Sequence, residues 1–322
     1  MGTITKMKRV YMNILYFDVE HGSQTLGSKE TIQKNFNLPM LTPSSWDEFQ
    51  ATIGKIYKNE KVKEKVKLGE GLEIDQVTTK VTTRDGIIVD ALVIDTFSEL
   101  SKKFMRTLTD RTGKMKLQEW GRLKNKLDTC LEFITRIPGN VICTCHSKTQ
   151  TMDTGENRLL PYIDGSTKED ISKWFDFVFY TKTITDKKGG RDYVWVTSRT
   201  ETYDHAKDRT QLLPAEMEQD YSKVLEAAAE RGFDGSKILI IGSPGSGKTY
   251  SLKTLASPGG VTNEEYETHD MPAQGESEDI QETIKAAVKE SESNGEIPVN
   301  EQKSYLRGET NNIGGVNENT NS

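Results

Sequence analysis

The chain has 322 residues, of which 34% are hydrophobic and 29% charged, and a formal net charge of −6; that length suffices for one large domain or two ordinary ones with a substantial core. No apolar run approaches the roughly 18 residues that a membrane span needs, and the opening MGTITKMKRVYMNILYFD passes from basic to strand-like residues without the cleavage site of a secretory signal. Three cysteines, Cys130, Cys143 and Cys145, are too few and odd in number for a disulfide framework, so a cytoplasmic protein is predicted.

In chain order, the apolar run NILYFD (13–18) predicts a first strand, followed by a helix near Trp46 to Lys58. Residues 59–86 are polar and rich in Lys and Glu with a weak strand pattern, an insertion with no assigned role. IIVDALVID (87–95) predicts a buried strand, and helices follow near Ser98 to Leu108 and Leu117 to Ile137. NVICTC (140–145) is the next strand, then a helix at Lys168 to Trp174. FDFVFYTKT and YVWVTS, joined through Lys187, Lys188, Gly189 and Gly190, predict a β-hairpin. A helix over Ala215 to Arg231 contains the strong helix formers Ala227, Ala228 and Ala229 and stops at Gly232. The last strand is KILIIG (237–242). Strands alternating with amphipathic helices predict an α/β domain with a mostly parallel sheet, and near-continuous runs such as ALVI and ILII suit strands covered on both faces.

Residues 242–249, GSPGSGKT, satisfy G-x-x-x-x-G-K-[ST] at each fixed position, between an apolar strand and the helical run TYSLKTL. In such a P-loop the glycines let backbone N–H groups wrap phosphates, aided by the partial positive charge of the helix N-terminus. Gly242, Ser243, Pro244, Gly245, Ser246, Gly247, Lys248, Thr249 and the adjoining Tyr250 form the predicted ATP-binding segment. Lys248 is expected to bridge the β- and γ-phosphates and Thr249 to ligate Mg²⁺. A carboxylate for the metal comes from Asp95, at the C-terminal end of a buried strand, where ligands of open α/β sheets bind. Because Thr96 follows it, the water-activating carboxylate must come from elsewhere.

The segment NILYFDVEHG is similar to the strand-then-acid segment of RecA recombinases, and Glu20, Asp95 and His146 at the ends of three strands resemble the RecA-like ATPases of phage recombination systems and their AAA-labelled phage relatives. The likeness covers roughly residues 10–258 without the 59–86 insertion. It implies a RecA-like P-loop fold, with Glu20 orienting the attacking water and His146 sensing the γ-phosphate; a histidine that merely ends a strand is the other reading. PYIDGSTKEDISKWFDFVFY and YVWVTSRTETYDHAKDR also resemble segments of those proteins. By that match Lys207 and Arg209, with Arg199 behind them, reach a neighbouring subunit's γ-phosphate, or else form a solvated basic turn. The resemblance further implies a homo-oligomer on single-stranded DNA, with Lys148 and Arg158 of the polar segment SKTQTMDTGENR meeting phosphates; an ordinary surface loop is the alternative. Cys143, Cys145 and His146 lack the fourth ligand of a zinc site, and strand alternation makes the cysteines buried apolar residues.

Two further expectations concern chain order. RecA-like chains begin with the P-loop strand, whereas here the Glu20 strand opens the chain and residues 235–260, bracketed by Gly-Ser and Gly-Gly, close the fold. This suggests a circularly permuted order, which a structure with strand 238–241 away from strand 91–95 would overturn. Residues 1–258 would then form the ATPase core and 259–322 a disordered tail. From Gly259 onward there are 4 Lys+Arg against 14 Asp+Glu, leaving 39 against 35 for the core. Within the tail, EDIQETIKAAVKES sets Ile280, Ile284 and Val288 on one helical face, and the acidic segment either competes with DNA, recruits a partner such as an annealing protein, or simply aids solubility. The rival functions are a P-loop kinase, for which no arginine-bearing lid is visible, and a regulatory module that binds nucleotide without turnover.

Overall fold

In the computed structural model the described residues are 12–69, 72–84, 86–152, 155–185 and 191–256. The described residues open with strand β1 (Ile14–Asp18), all five residues buried, and helix α1 (Lys29–Phe36), which the sequence reading did not include. Ser28 caps α1 by accepting from the Thr31 amide, and Asn37 ends it in the left-handed conformation. Helix α2 (Trp46–Ile56) starts at a capping box: Ser45 Oγ accepts from the Glu48 amide at 3.1 Å, and Glu48 Oε2 accepts from the Ser44 amide at 2.7 Å. Two long strands follow, β2 (Tyr57–Gly69) and β3 (Leu72–Thr83), paired only with each other. The polar insertion is thus an exposed antiparallel ribbon about 40 Å long, at roughly 3.3 Å per residue.

Next come β4 (Ala91–Asp95), α3 (Phe97–Leu108) and α4 (Leu117–Thr135). Strand β4 is shorter than predicted, since residues 87–90 form no strand. Strand β5 (Asn140–Thr151) runs well beyond NVICTC and turns back as β6 (Asn157–Pro161), so most of the expected loop SKTQTMDTGENR is a hairpin. The correction has a simple cause: alternate Thr residues at 149 and 151 suit a strand even when the run is polar. A short helix α5 (Thr167–Asp170) with a following 3₁₀ turn leads into β7 (Phe177–Thr185) and β8 (Arg191–Val196), which pair antiparallel; the joint at 187–190 lies outside the described residues. A two-residue strand β9 (Lys207–Asp208) pairs with the start of β7.

The helix expected from Ala215 begins only at α6 (Tyr221–Glu230). Residues 216–218 instead form strand β10 (Glu216–Glu218) on β8, and Asp220, whose carboxylate accepts from the Ser222 amide at 2.9 Å, sets the helix start. Strand β11 (Lys237–Gly242) and helix α7 (Lys248–Ala256) close the described chain. The acidic tail and its candidate helix at 278–291 lie outside the described residues.

The sheet runs β1-β4-β5-β11-β7-β8-β10, with β1, β4, β5, β11 and β7 all parallel. Strand alternation splits its side chains between two cores. Leu15, Phe17, Leu92, Ile94, Leu239 and Ile241 pack under α2, α3 and α4, whereas Ile14, Tyr16, Val93, Ile238 and Ile240 pack under α1, α6 and α7. The result is a three-layer α/β/α sandwich. Parallel strands place their C-terminal ends on one edge, so Asp18, Asp95, His146 and Gly242 all arrive there. Strand β11 does not pair with β4; β5 lies between them, so the two stand one strand apart.

Candidate nucleotide site

The phosphate loop leaves β11 at Gly242 and enters α7 at Lys248. Gly247 sits at φ 88°, and a Cβ there would come within 2.8 Å of Gln219 Oε1, so both the left-handed backbone and the close wall require glycine. Lys248, 5% exposed, donates its ammonium to the carbonyls of Gly242 at 3.0 Å and Ser243 at 2.9 Å, closing the loop on itself. Burial lowers its pKa, and the charges of Asp95 and Glu20 oppose that shift. Ser246 is braced from β7 by the Thr181 hydroxyl and from below by the Ser243 carbonyl. Tyr250 points outward on α7, with the Lys253 ammonium 4.6 Å from its ring centroid.

Thr249 Oγ1 donates to Asp95 Oδ2 at 2.7 Å, although the two residues are 154 apart in sequence. Asp95 also accepts from the Tyr16 hydroxyl at 3.1 Å and from the Thr144 hydroxyl. Its burial raises the carboxyl pKa, while the three hydroxyl donors pull it down. This donor set fits Mg²⁺: one carboxylate and one hydroxyl are hard oxygen ligands, and Mg²⁺ ordinarily takes few protein ligands because phosphates and water supply the rest.

Glu20 and His146 meet at the same edge. His146 Nε2 lies 2.9 Å from Oε1 and 2.8 Å from Oε2 of Glu20, just past the end of β1; His146 does not end its strand as expected, because β5 runs on to Thr151 and pairs with β6. The histidine's hydrogen bond is the main cause that lowers the Glu20 pKa, opposed by partial burial. The turn that carries Glu20 is tied down twice. Asp18 accepts from the amides of Gly22 at 2.9 Å and Ser23 at 3.2 Å, and the Asp95 carbonyl accepts from the amides of Val19 and Glu20. His146 is held in turn by its own amide, which donates to Ser98 Oγ at 2.9 Å.

The model of an AAA domain family matches residues 3–210. The chain belongs to the AAA domain family. The family is one of AAA-type P-loop ATPases, and the match ends before Gly242, so the phosphate loop at 242–249 lies outside the matched span. None of the curated proteins matches the chain, and none of the solved structures does.

Within this family member the edge formed by β1, β4, β5 and β11 gathers Glu20, Asp95, His146, Lys248 and Thr249. Lys207 and Arg209 do not join them. Strand β9 pairs with Phe177 and Val178 at the start of β7, the opposite edge from the P-loop. There Lys207 Nζ donates to the Ser172 carbonyl at 2.7 Å, and burial, aided by the Arg209 charge, lowers its pKa to about 8. Arg209 pairs with Asp176 at 2.9 Å, and Arg199 is engaged by Asp204. Arg158 likewise binds Asp204, while Lys148 stays exposed on the β5–β6 hairpin, 5.3 Å from the Tyr162 ring centroid. Cys143 and Cys145 are buried free thiols under the α3 and α4 side of the sheet, pushed up in pKa by burial.

Five residues of the arrangement were missed by sequence reasoning: Tyr16, Asp18, Thr144, Thr181 and Gln219. Asp18 and Thr144 had a signal, being polar residues inside otherwise apolar strand runs, a costly choice unless each finds a partner. Gln219 had none, because its segment was read as helix.

Proposed function

We propose that this AAA-domain protein binds ATP with Mg²⁺ and hydrolyses it at the C-terminal edge of its sheet. The observation that carries the reading is the Thr249–Asp95 hydrogen bond beside the Glu20–His146 pair, which unites a P-loop helix with two acids from strands far away in sequence. When bound, Mg²⁺ would supply neutralisation of the charge on the β- and γ-phosphate oxygens. Lys248 would exchange its two loop carbonyls for phosphate oxygens. Glu20, with its pKa lowered by His146, is ionised at neutral pH and able to orient and deprotonate a water once the histidine lets go. His146 would trade Glu20 for the γ-phosphate, so phosphate arrival frees the base.

The finer reading is an ATPase of phage DNA recombination or replication, assembling as a homo-oligomer on single-stranded DNA and possessing the RecA-like order in permuted form. Three features support the permuted order. The sheet order places β5 between β4 and β11 while Thr249 still reaches Asp95. The family match covers the chain ahead of the P-loop segment and not that segment. Gly235, at φ 82°, makes the joint into β11, where any Cβ would strike the Gly139 carbonyl. The basic Lys207 and Arg209, on the edge away from their own P-loop, would serve a neighbouring subunit. A regulatory module without turnover is the second reading, favoured by the hold of His146 on both Glu20 oxygens.

The test is Mg²⁺-dependent ATP hydrolysis with and without single-stranded DNA, on the intact chain and on Lys248→Ala and Glu20→Gln. The expected outcome is hydrolysis stimulated by DNA, with nucleotide binding lost in Lys248→Ala and turnover reduced by about 10²–10⁴ in Glu20→Gln while binding persists. Tight binding with no turnover by the intact chain would replace the ATPase reading with the regulatory one.

A further inference from the structure

The β2–β3 ribbon and a groove at the other end of the sheet carry opposite charges. The ribbon rises from the end of α2, which packs Phe49 against Phe17 of β1, the first strand of the sheet. The groove lies beside β10, the last strand, in a cavity of about 440 Å³ between α6 and residues 212–218. The root of the ribbon and the groove therefore lie beside opposite edge strands of the sheet.

Cross-strand register defines what each ribbon face presents, because directly opposed residues share a face. Lys61, Lys63, Lys65 and Lys67 lie on one face, and Val77, 55% exposed, stands directly opposite Lys63. Toward the tip, Lys65 and Lys67 are within 3.9 and 3.8 Å of Glu73. Nearer the root, Lys61 and Lys63 make no ion pair among the described residues. The exposed feature is thus Val77, between Thr79 and Asp75 on β3, with the Lys61 and Lys63 ammonium groups across from it toward the root. In the groove the order is reversed. Leu212, Leu213 and Met217 provide an apolar floor; on the rim Lys223 pairs with Glu218, which leaves Glu226 and Glu230 as the acidic groups. The floor is preformed: Asp208 accepts from the amides of Leu212 at 3.1 Å and Leu213 at 3.0 Å, and the Pro214 carbonyl accepts from the Thr197 hydroxyl.

We propose that the groove beside β10 and α6 receives the β2–β3 ribbon of a second copy of this chain, with Val77 on the floor and Lys61 and Lys63 on the rim glutamates. A ribbon at one end of the sheet and a groove at the other make the contact heterologous, so copies add head to tail into a ring or an open filament. A ribbon also gains from the cover, since an isolated two-stranded hairpin is marginally stable in water. This inference rests on the assembly part of the proposed function and names the surfaces that would achieve it; it does not depend on hydrolysis.

The experiment is sedimentation velocity of the full chain with ATP and Mg²⁺, comparing the wild type, a ribbon variant (Lys61→Glu with Lys63→Glu), a groove variant (Glu226→Lys with Glu230→Lys), and the two variants mixed. All substituted positions are surface ones, and unchanged circular dichroism and melting temperature would confirm intact folding. The wild type should assemble, each variant alone should assemble at least tenfold more weakly, and the mixture should recover, because each ribbon then meets a groove of opposite charge. Variants that assemble like the wild type, or a mixture that stays dissociated, would overturn the proposal while leaving assembly itself standing. A chain monomeric in every condition would remove both, with ATP hydrolysis still judged by its own assay. Loss of oligonucleotide binding in the ribbon variant with assembly unchanged would make the lysine face a polyanion-binding arm, and the docking proposal would be wrong.

Discussion

The C-terminal edge of the sheet and the β2–β3 ribbon are built by opposite means. At the sheet edge, residues from β1, β4, β5 and β11 meet over sequence separations of more than a hundred, as with His146 and Glu20 or Thr249 and Asp95. Asp95, Thr144 and Lys248 are buried and all of these polar groups are matched to one another, with Glu20 alone exposed, so each depends on the packing of strands that carry none of the chemistry. In the ribbon every pairing is between β2 and its immediate neighbour β3, and most side chains face solvent. A buried polar edge tolerates little change because unpaired groups there lose water without gaining a partner. A solvated ribbon tolerates much.

Three substitutions sharpen that contrast. The largest effect is expected for Leu239→Ala at the centre of β11, fully buried between β5 and β7. Equilibrium denaturation should show a loss of about 2–5 kcal/mol, from removed apolar contact and the cavity left behind. Asp18→Ala comes next. It strips the Gly22 and Ser23 amides of their acceptor and should cost about 1–3 kcal/mol. Since that turn carries Glu20, turnover should fall while ATP affinity holds, and a variant with normal turnover would show that Glu20 does not need this support. The smallest effect is expected for Ile74→Thr, on a ribbon position 44% exposed, with stability within about 0.5 kcal/mol of the wild type. A larger loss would mean that the ribbon is part of the cooperative core and would break the comparison.

The sequence reading and the structure agree best where the information is local. The P-loop, its flanking strand and helix, and the apolar strands around Ile14, Leu92, Ile142 and Leu239 were legible because each is a contiguous run whose residue types act through their own backbone. The ribbon was read only as a weakly strand-like insertion, because its Lys-rich run carries too few apolar residues for their alternation to stand out. The start of α6 was placed six residues early, since the alanines dominate local propensity while strand pairing to β8 claims Glu216 to Glu218. Lys207 and Arg209 were assigned to a neighbouring subunit's site by family likeness alone, and β9 fixes only that they stand on the edge away from their own P-loop.

From its sequence alone this chain declared a phosphate-binding loop, a mostly parallel α/β sheet and an acid at the end of a buried strand, because motif spacing and hydrophobic period are properties of neighbouring residues. Only the tertiary structure decided that β5 separates β4 from β11, that Thr144 and Tyr16 join Thr249 on Asp95, and that His146 holds Glu20. Those outcomes depend on which strands pair and in what register. That choice is made by burial of both sheet faces at once, and no single segment of the chain carries it.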